Sequence, residues 1–575
     1  MRGPGEIVTE LENSRKAGAQ RIYGRIFMRP EILCRYWYRP GFLRNWNRRK
    51  KMKKKWLAAL LAAALTASVT AGCGKDAEKV NNSESVPDSW SQVSSQAPEE
   101  TQEETRGEAS SAPEEGQEGG GDSTLDPVTL RIFFLEGPAG DEEKVAEYIN
   151  NLPQVKALNV TVEICKEWNW DRSQLPLQLA GDEQMDIGYD NGAEFLNRVD
   201  QQAYADISGY LAEDPDFYGY IPEALWKGAS VDGKIYAVPT YKEIGEQWGV
   251  MADKKDLEAC GVDASSVTKL ADLEPLLKGM TEQGLGTVYI PSWADWLKVG
   301  LFDTYDFTPN NLGVIKRSEG EKVENLYQTQ EFADLVRLMY DWNQKGYIPD
   351  EMLTEPVEWI TNQANNNHNY CVRYTWYSPC AEYLYAPDYD LAPMLFEDPV
   401  VSNDAARGSV FGIYRKCENP ERAYQFLKLW NTDPEVKNAF VYGIPGEHYN
   451  LVDGQVEIIK EEGQPRKFEG VNSMSGNVMI SYTMVSEPKN KYELYDAFNQ
   501  KAVPAADLGM VYDLSQVNDK VTNCTAVLEE YAKPLLLGFV EPESGIAKLN
   551  EKLAEAGIED VIAQLQAQFE AFRTE

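Results

Sequence analysis

The sequence has few of the residues on which most enzyme chemistry depends. Of its 575 residues only two are histidine, His368 and His448. Neither stands at metal-ligand spacing from a cysteine or from the other histidine, which argues against a zinc site or a His-dependent triad. The eight cysteines include no C-x-x-C pair, so no redox or zinc-ribbon motif is present. No Walker A loop, strand-linked G-x-G-x-x-G, H-E-x-x-H or G-x-S-x-G occurs. Basic residues are also short: 56 Lys+Arg face 92 Asp+Glu, for a formal net charge of −36. So acidic a chain is a poor partner for phosphate backbones, because each contact needs a cation to replace a counterion. No catalytic residue, metal or cofactor is assigned, and nucleic acid is excluded as a partner.

The charge that is present is unevenly spread. Residues 1–72 carry 16 basic and four acidic residues, whereas residues 73–575 carry 40 and 88. In the first stretch Met52-Lys53-Lys54-Lys55 leads into a run without charge from Trp56 to Gly72, followed by Cys73. A basic start, ~17 uncharged residues and small residues before a cysteine make an export signal over 52–72, too short for a stable membrane span. Thr70-Ala71-Gly72-Cys73 resembles the lipobox of bacterial lipoproteins, although that family most often has Leu where this chain has Thr70. The resemblance implies that Cys73 is lipidated and becomes the mature N-terminus, held at the extracellular face of the cell membrane; a plain cleaved signal or an uncleaved anchor is the alternative reading. Residues 1–51, basic and rich in Arg and Trp, stand in front of a signal that works from the extreme N-terminus. Met52 is therefore read as the start, and 1–51 as the product of a mistaken start codon.

Residues 73–127 are Ser, Glu, Gln, Gly and Pro with almost no large apolar side chains, and carry 14 acidic and three basic residues. Such a segment cannot bury enough surface to offset chain entropy and is expected to be an extended, self-repelling tether. Gly119-Gly120-Gly121 is linker glycine, since no strand precedes it and no Lys-Ser/Thr follows.

From Val128 to Glu575 the pattern is globular. The β-rich run Val128–Leu135, a helix from Asp141, strands at 159–165 and 185–189 and a helix between them alternate at βαβ spacing, which predicts a parallel sheet covered by helices on both faces. Asp232-Gly233 marks a tight turn before Ile235–Pro239. Further strands are expected at 247–251, 369–376, 389–396 and 409–414. Phe332, Leu335, Val336 and Met339 form one face of a helix over 331–345 that Gly346 ends. Asn419 caps and Pro420 opens a helix whose buried face is Ala423, Phe426, Leu427 and Trp430. The end of the chain is helical, closing with an amphipathic helix that buries Ile558, Val561, Ile562, Leu565, Phe569 and Phe572.

Several of these segments together resemble a known family. The lipobox, the polar tether, Asp232-Gly233-Lys234-Ile235-Tyr236-Ala237-Val238-Pro239 and the helix opening Asn419-Pro420-Glu421-Arg422-Ala423 resemble extracellular solute-binding lipoproteins of bacterial ABC importers, closest to the sugar-type group called family 1. Tyr442-Gly443-Ile444-Pro445-Gly446-Glu447-His448-Tyr449 resembles a recurring segment of one subgroup, which usually has an acidic residue in place of Pro445. The region from Leu508 to the last helix resembles that subgroup's C-terminal domain of unknown function. The resemblance implies an α/β, two-lobed fold of the type II periplasmic-binding-protein kind, with lobe one at about 128–240 and 366–480. Lobe two would take about 245–365 and part of 480–575, with C-terminal helices at about 508–575 and hinge crossings near 240–250 and 365–380. It also implies a monomeric receptor that closes on a solute and presents it to the membrane permease, with no catalysis.

Sugars are held by aromatic faces and by carboxylates or amides that bond hydroxyl pairs. Residues of those types follow several expected strands: Trp168 and Trp170, Asp190 and Asn191, Tyr241-Lys242-Glu243, Trp293 and Trp296, and Tyr374, Trp376 and Tyr377. They form the expected cleft set, each with core packing as its alternative. The Lys242–Glu243 pair either positions a polar ligand group or is a surface ion pair of under ~1 kcal/mol. Asn477 and Tyr482 resemble a family segment bordering the cleft. Cys371 and Cys380 either pair outside the cell or are separate thiols, and His448 is read as a turn residue. The function expected is capture of an oligosaccharide for import. A surface glycan hydrolase, or the same receptor binding a peptide or amine, remains the alternative.

Overall fold

The computed structural model describes residues 125–133, 140–165, 175–181, 183–285, 287–288, 293–354, 370–376, 379–380, 390–460 and 464–574; for 287, 288, 293, 295 and 370–376 it gives the backbone alone. The expectations for residues 1–51, the signal segment, Cys73, the tether and His368 lie outside the described residues.

Strands run, in chain order, β1 (Val128–Phe133), β2 (Val160–Cys165), β3 (Ile187–Asp190), β4 (Ala237–Pro239), β5 (Trp248–Asp253), β6 (Thr287–Val288), β7 (Tyr305–Phe307) and β8 (Gly313–Lys316). They continue with β9 (Val323–Asn325), β10 (Tyr370–Trp376), β11 (Leu391–Leu395), β12 (Val400–Val401), β13 (Val410–Ile413), β14 (Tyr449–Val452), β15 (Gln455–Ile458) and β16 (Val503–Pro504). The first lobe is built on the sheet β2-β1-β3-β13-β4. β1 lies parallel to β2 and β3, as βαβ connections require, with Val128 opposite Val160 and Phe133 opposite Cys165. The expectation of a wholly parallel sheet is corrected at β13, which runs antiparallel to both β3 and β4. That strand returns from the other lobe and enters the sheet from the opposite end.

Helix Pro420–Thr432 packs on this sheet through Ala423, Phe426, Leu427 and Trp430, all fully buried. Asn419 makes no side-chain cap, but Asp433 accepts from the Val436 amide at 2.9 Å and starts the next helix at once. Trp430 stacks on Phe440 with centroids 4.3 Å apart and meets Phe411 of β13 edge-on at 4.7 Å, so helix, helix and sheet share one aromatic contact. Asp232 and Gly233 form the expected tight turn, both with positive φ, between reciprocal Val231 and Lys234 backbone bonds.

The second lobe has the sheet β11-β5-β10-β6, with β5 antiparallel to β10 and β11, and a smaller sheet β7-β8-β9. Helix Gln330–Gln344 is capped by Thr329 and buries Phe332, Leu335, Val336, Met339 and Trp342. Helices Asn518–Val527, Pro542–Ala556 and Ile558–Thr574 put Val521, Leu549, Leu553, Ile558, Val561, Leu565 and Phe569 into the same core. The C-terminal helices are thus part of the second lobe, each fully buried Leu, Ile or Phe contributing about 1.5–3 kcal/mol.

The lobe boundary differs from the sequence expectation at one place. β10 pairs with β5, Trp376 opposite Trp248, so the chain is still in the second lobe at residue 376. It crosses back at about 397–402 instead of 365–380, because β11 also adds to β5 before β12 leaves.

Candidate functional site at the interlobe hinge

Three segments join the lobes, and they are hydrogen-bonded to one another. Glu246 and Val400 exchange both backbone bonds, at 2.7 and 2.8 Å. Val503 donates to Pro399 at 2.9 Å and Ala505 to Val401 at 3.0 Å, which makes β12 and β16 a short parallel pair. The crossings at about 240–247, 397–402 and 499–506 therefore form one ladder. Gly245 permits the contact: a Cβ there would lie 2.6 Å from the Pro399 Cβ and 3.4 Å from the Ala502 Cβ.

The first crossing carries the polar residues expected to face a ligand. Tyr241 is half-buried, and its carbonyl accepts from the Val478 amide at 2.7 Å. Burial first, and Asp496 second, push its phenol up, against a hydrogen bond with Asn499. Lys242 and Glu243 pair at 3.4 Å with side chains 24% and 18% exposed. Asn499, at the end of helix Lys491–Asn499, holds this segment: its Nδ2 donates to the Lys242 carbonyl at 2.9 Å and its Oδ1 accepts from the Ile244 amide at 2.9 Å.

At the carboxyl end of β3, Asp190 is fully buried and Asn191 is half-buried. Asp190 turns into the lobe. Its Oδ2 forms an ion pair with Arg198 Nε at 2.8 Å and accepts from the Tyr204 hydroxyl at 2.9 Å, and its Oδ1 accepts from the Asn191 amide at 3.0 Å. It is a positioning group for Asn191, whose own side chain caps nothing in helix Gly192–Asp200.

Other members of the expected set fall elsewhere. Trp296 is 1% exposed and meets Trp342 edge-on at 6.2 Å, so it belongs to the core of the second lobe and its cleft assignment is corrected. Asn477 is also buried: its amide donates to Asn431 O at 3.1 Å and its oxygen accepts from Met479 N at 2.9 Å, which shapes the turn. Tyr482 is half-buried against Tyr442 and Tyr449. Its carbonyl takes the Tyr442 hydroxyl at 2.8 Å. Trp293 opens helix Trp293–Leu301, and Tyr374 and Trp376 lie on β10 opposite Val250 and Trp248; their side chains are outside the described set. Trp168, Trp170, Cys371's thiol and Tyr377 also lie outside it.

Lys437, which no motif singles out, supports the 472–482 segment. It is fully buried, with its amine on the Ser475 carbonyl, on Ser475 Oγ at 3.2 Å and on Asn472 O at 3.4 Å. Burial holds its pKa well below that of an ordinary lysine. The amine fixes the strap whose Val478 amide holds Tyr241.

The 442–449 segment is a clamp. His448 Nδ1 accepts from the Ile444 amide at 2.9 Å, so the proton sits on Nε2, which donates to Asp141 Oδ2 at 3.1 Å. That hydrogen bond lowers the Asp141 pKa. Glu447 and His448 both donate through their amides to Ile444 O, and Pro445 lies within this closed turn, bridged to Tyr449. Asp141, Glu447 and His448 have ligand-type atoms within 4.8 Å of one another, but both ring nitrogens are already engaged, which argues for a fold clamp in place of a metal site.

Buried charges sit beside each crossing where it meets the second lobe. Glu246, 2% exposed, takes Ser402 Oγ and lies 3.7 Å from Lys298, whose Nζ stands 5.3 Å over the Trp248 ring. Arg317 binds Asp306 at 2.7 Å and Glu397 at 3.2 Å. Burial pushes Glu397 up to about 8 against the pull of Arg317. Asp507 is pushed up to about 6 by burial and by Asp306, and burial brings Arg407 down to about 10.

Comparison with known proteins agrees with this architecture. Residues 507–574 match the family model of a domain of unknown function, DUF3502. A carbohydrate ABC transporter substrate-binding protein of Streptococcus pneumoniae serotype 4 (strain ATCC BAA-334 / TIGR4) is 27% identical over 409 residues, 66% of this chain and 78% of that protein. The crystal structure of the N-glycan transport solute binding protein NgtS from Streptococcus pneumoniae aligns with a TM-score of 0.65 and 23% identity over 78% of this chain and 99% of that one. Its complex with Man5GlcNAc aligns at 0.54, with 23% identity over 78% and 98%. The chain is a relative of the substrate-binding proteins of ABC transporters, with the type II two-lobed fold and a DUF3502 domain as the last helices of its second lobe.

Proposed function

We propose that this protein is the lipid-anchored, extracellular substrate-binding subunit of an ABC importer, and that it captures an oligosaccharide between its lobes. The observation that carries the reading is the hinge. Three crossings are laced into one ladder, and the first of them presents Tyr241, Lys242 and Glu243 from a backbone held by Asn499 and Val478. A segment so fixed offers polar groups at constant geometry while the lobes move about it. The relative from Streptococcus pneumoniae supports a carbohydrate as the solute class. On this reading Asn191 and the Lys242–Glu243 pair bond hydroxyl groups, and Trp168, Trp170, Trp293, Tyr374, Trp376 and Tyr377 supply faces for sugar rings.

Among the described residues no helix is long and apolar enough to cross a membrane. The lipid on Cys73 would hold the receptor beside the permease, with residues 73–127 as the tether, and the protein would act as a monomer. Its task is binding, so the ligand leaves unchanged. The test is a thermal-shift screen of the full chain against Man5GlcNAc, other oligosaccharides, peptides and amines, with mass analysis of the recovered ligand. At 100 times its Kd a ligand adds ~2.7 kcal/mol. Stabilisation by an intact oligosaccharide is expected. Cleavage of the sugar would make the protein a hydrolase, and stabilisation by peptides or amines alone would replace the solute class.

A further inference from the structure

The Arg317 guanidinium lies in the second lobe just after β8, yet its contacts reach all three crossings. It stacks over Phe302, 4.5 Å from the ring centroid. Its Nε donates to Asp306 Oδ1 at 2.7 Å and its Nη1 to Glu397 Oε2 at 3.2 Å. Each carboxyl group then uses its other oxygen on a different segment. Glu397 Oε1 accepts from the Trp248 amide at 3.2 Å, where the first crossing becomes β5. Asp306 Oδ2 accepts from the Ala506 amide at 2.9 Å, where the third crossing enters the second lobe. Glu397 itself belongs to the second crossing, and its carbonyl also accepts from the Gln247 side chain.

We propose that Arg317 is a positioning residue for lobe closure: through Asp306 and Glu397 it holds the three entry points into the second lobe as one rigid unit, so that bending is confined to the ladder and its lobe-one side. This rests on the reading of the protein as a two-lobed receptor that closes on its solute. Stability alone gives a weak reason for such a cluster. The two carboxyl groups are 5% and 6% exposed and the guanidinium 18%, and taking such polar and charged groups out of water costs about as much as their attraction returns. What the planar fork adds is geometry, since a single guanidinium binds two carboxyl groups in fixed directions where a lysine offers a point charge.

The test is hydrogen exchange of the full chain without ligand, for wild type, Arg317→Lys and Glu397→Gln, together with their affinity for Man5GlcNAc. In Arg317→Lys, exchange at Trp248, at 397–402 and at Ala506 rises together, by about tenfold or more, while β1 and β2 keep wild-type protection. In Glu397→Gln, compared with wild type above about pH 8 where Glu397 is ionised, the rise covers Trp248 and 397–402 but spares Ala506, which Asp306 still holds. Rescue of Ala506 alone by the second variant is a pattern that general destabilisation does not produce. Faster exchange confined to 305–317, or wild-type exchange at any of the three entry points in Arg317→Lys, overturns the proposal. If Arg317→Lys fails to fold, the Glu397→Gln pattern decides, and a uniform rise that includes Ala506 overturns it. Wild-type protein that binds no oligosaccharide would count against the receptor reading; the exchange pattern judges the hinge assignment separately.

Discussion

Asn499 grips the backbone on both sides of Glu243, donating to the Lys242 carbonyl and accepting from the Ile244 amide, both at 2.9 Å. It works as a peptide group would in a strand, but from the end of a helix that belongs to the third crossing. Lys242 and Glu243 are thereby fixed by a part of the chain some 255 residues away.

Replacing Asn499 with Leu keeps the volume and removes both bonds. It leaves the buried Ile244 amide without an acceptor, which costs ~1–3 kcal/mol. Urea unfolding should show that loss, and calorimetry should show weaker ligand binding as well. Asn499→Asp retains the acceptor and should lose less of both.

Lys242→Ala and Glu243→Ala test the ligand-facing role directly. The pair is partly exposed and contributes at most ~1 kcal/mol to folding, so the melting temperature should move little. Loss of a charged hydrogen bond to a ligand hydroxyl should raise Kd by roughly 10-fold or more. Unchanged Kd in both variants would make the pair a surface ion pair.

Gly245 lies where the three crossings touch. Gly245→Ala brings a Cβ to 2.6 Å from that of Pro399, which must shift the ladder. Overpacking of this kind costs about 1–3 kcal/mol. The expected signature is a change in lobe opening, measured by small-angle scattering of the ligand-free protein, beyond the fall in melting temperature.

Glu397 gives a pH dependence with a definite sign. Its carboxyl is raised from 4.5 to about 8 in the folded protein, so between those values the folded state holds a proton that the unfolded state has released. Its contribution is full below pH 4.5 and is lost as pH rises through about 8. The stability of wild type relative to Glu397→Gln should fall across that window and level off above it. The difference between the two proteins isolates this group from Lys437, whose lowered pKa works in the opposite direction. A flat difference would mean that Glu397 is ionised in the hinge throughout.

Much of the fold was legible because periodicity is local. The buried faces of Gln330–Gln344 and Pro420–Thr432, the Asp232-Gly233 turn and the burial of Ile558, Val561, Leu565 and Phe569 all follow from residues within a few positions of one another. The second crossing was not, since whether β10 stays in the second lobe depends on pairing with β5, more than a hundred residues earlier. The same limit applied at the site. An apolar stripe says that Trp296 is buried, but an aromatic after a strand equally suits a cleft, and only Trp342 decides between them. Asn477, expected to border the cleft, bonds Asn431 and Met479. Arg317, Glu397 and Asn499 carry no motif; their roles exist only where the three crossings meet.

The most direct measurement of the central claim is small-angle scattering of the full chain titrated with the oligosaccharide that calorimetry finds to bind, with the sugar recovered afterwards. Saturation at one sugar per protein, a smaller radius of gyration and an intact sugar are the predicted result. Binding with no compaction, or a sugar recovered in pieces, would contradict capture by closure about the hinge.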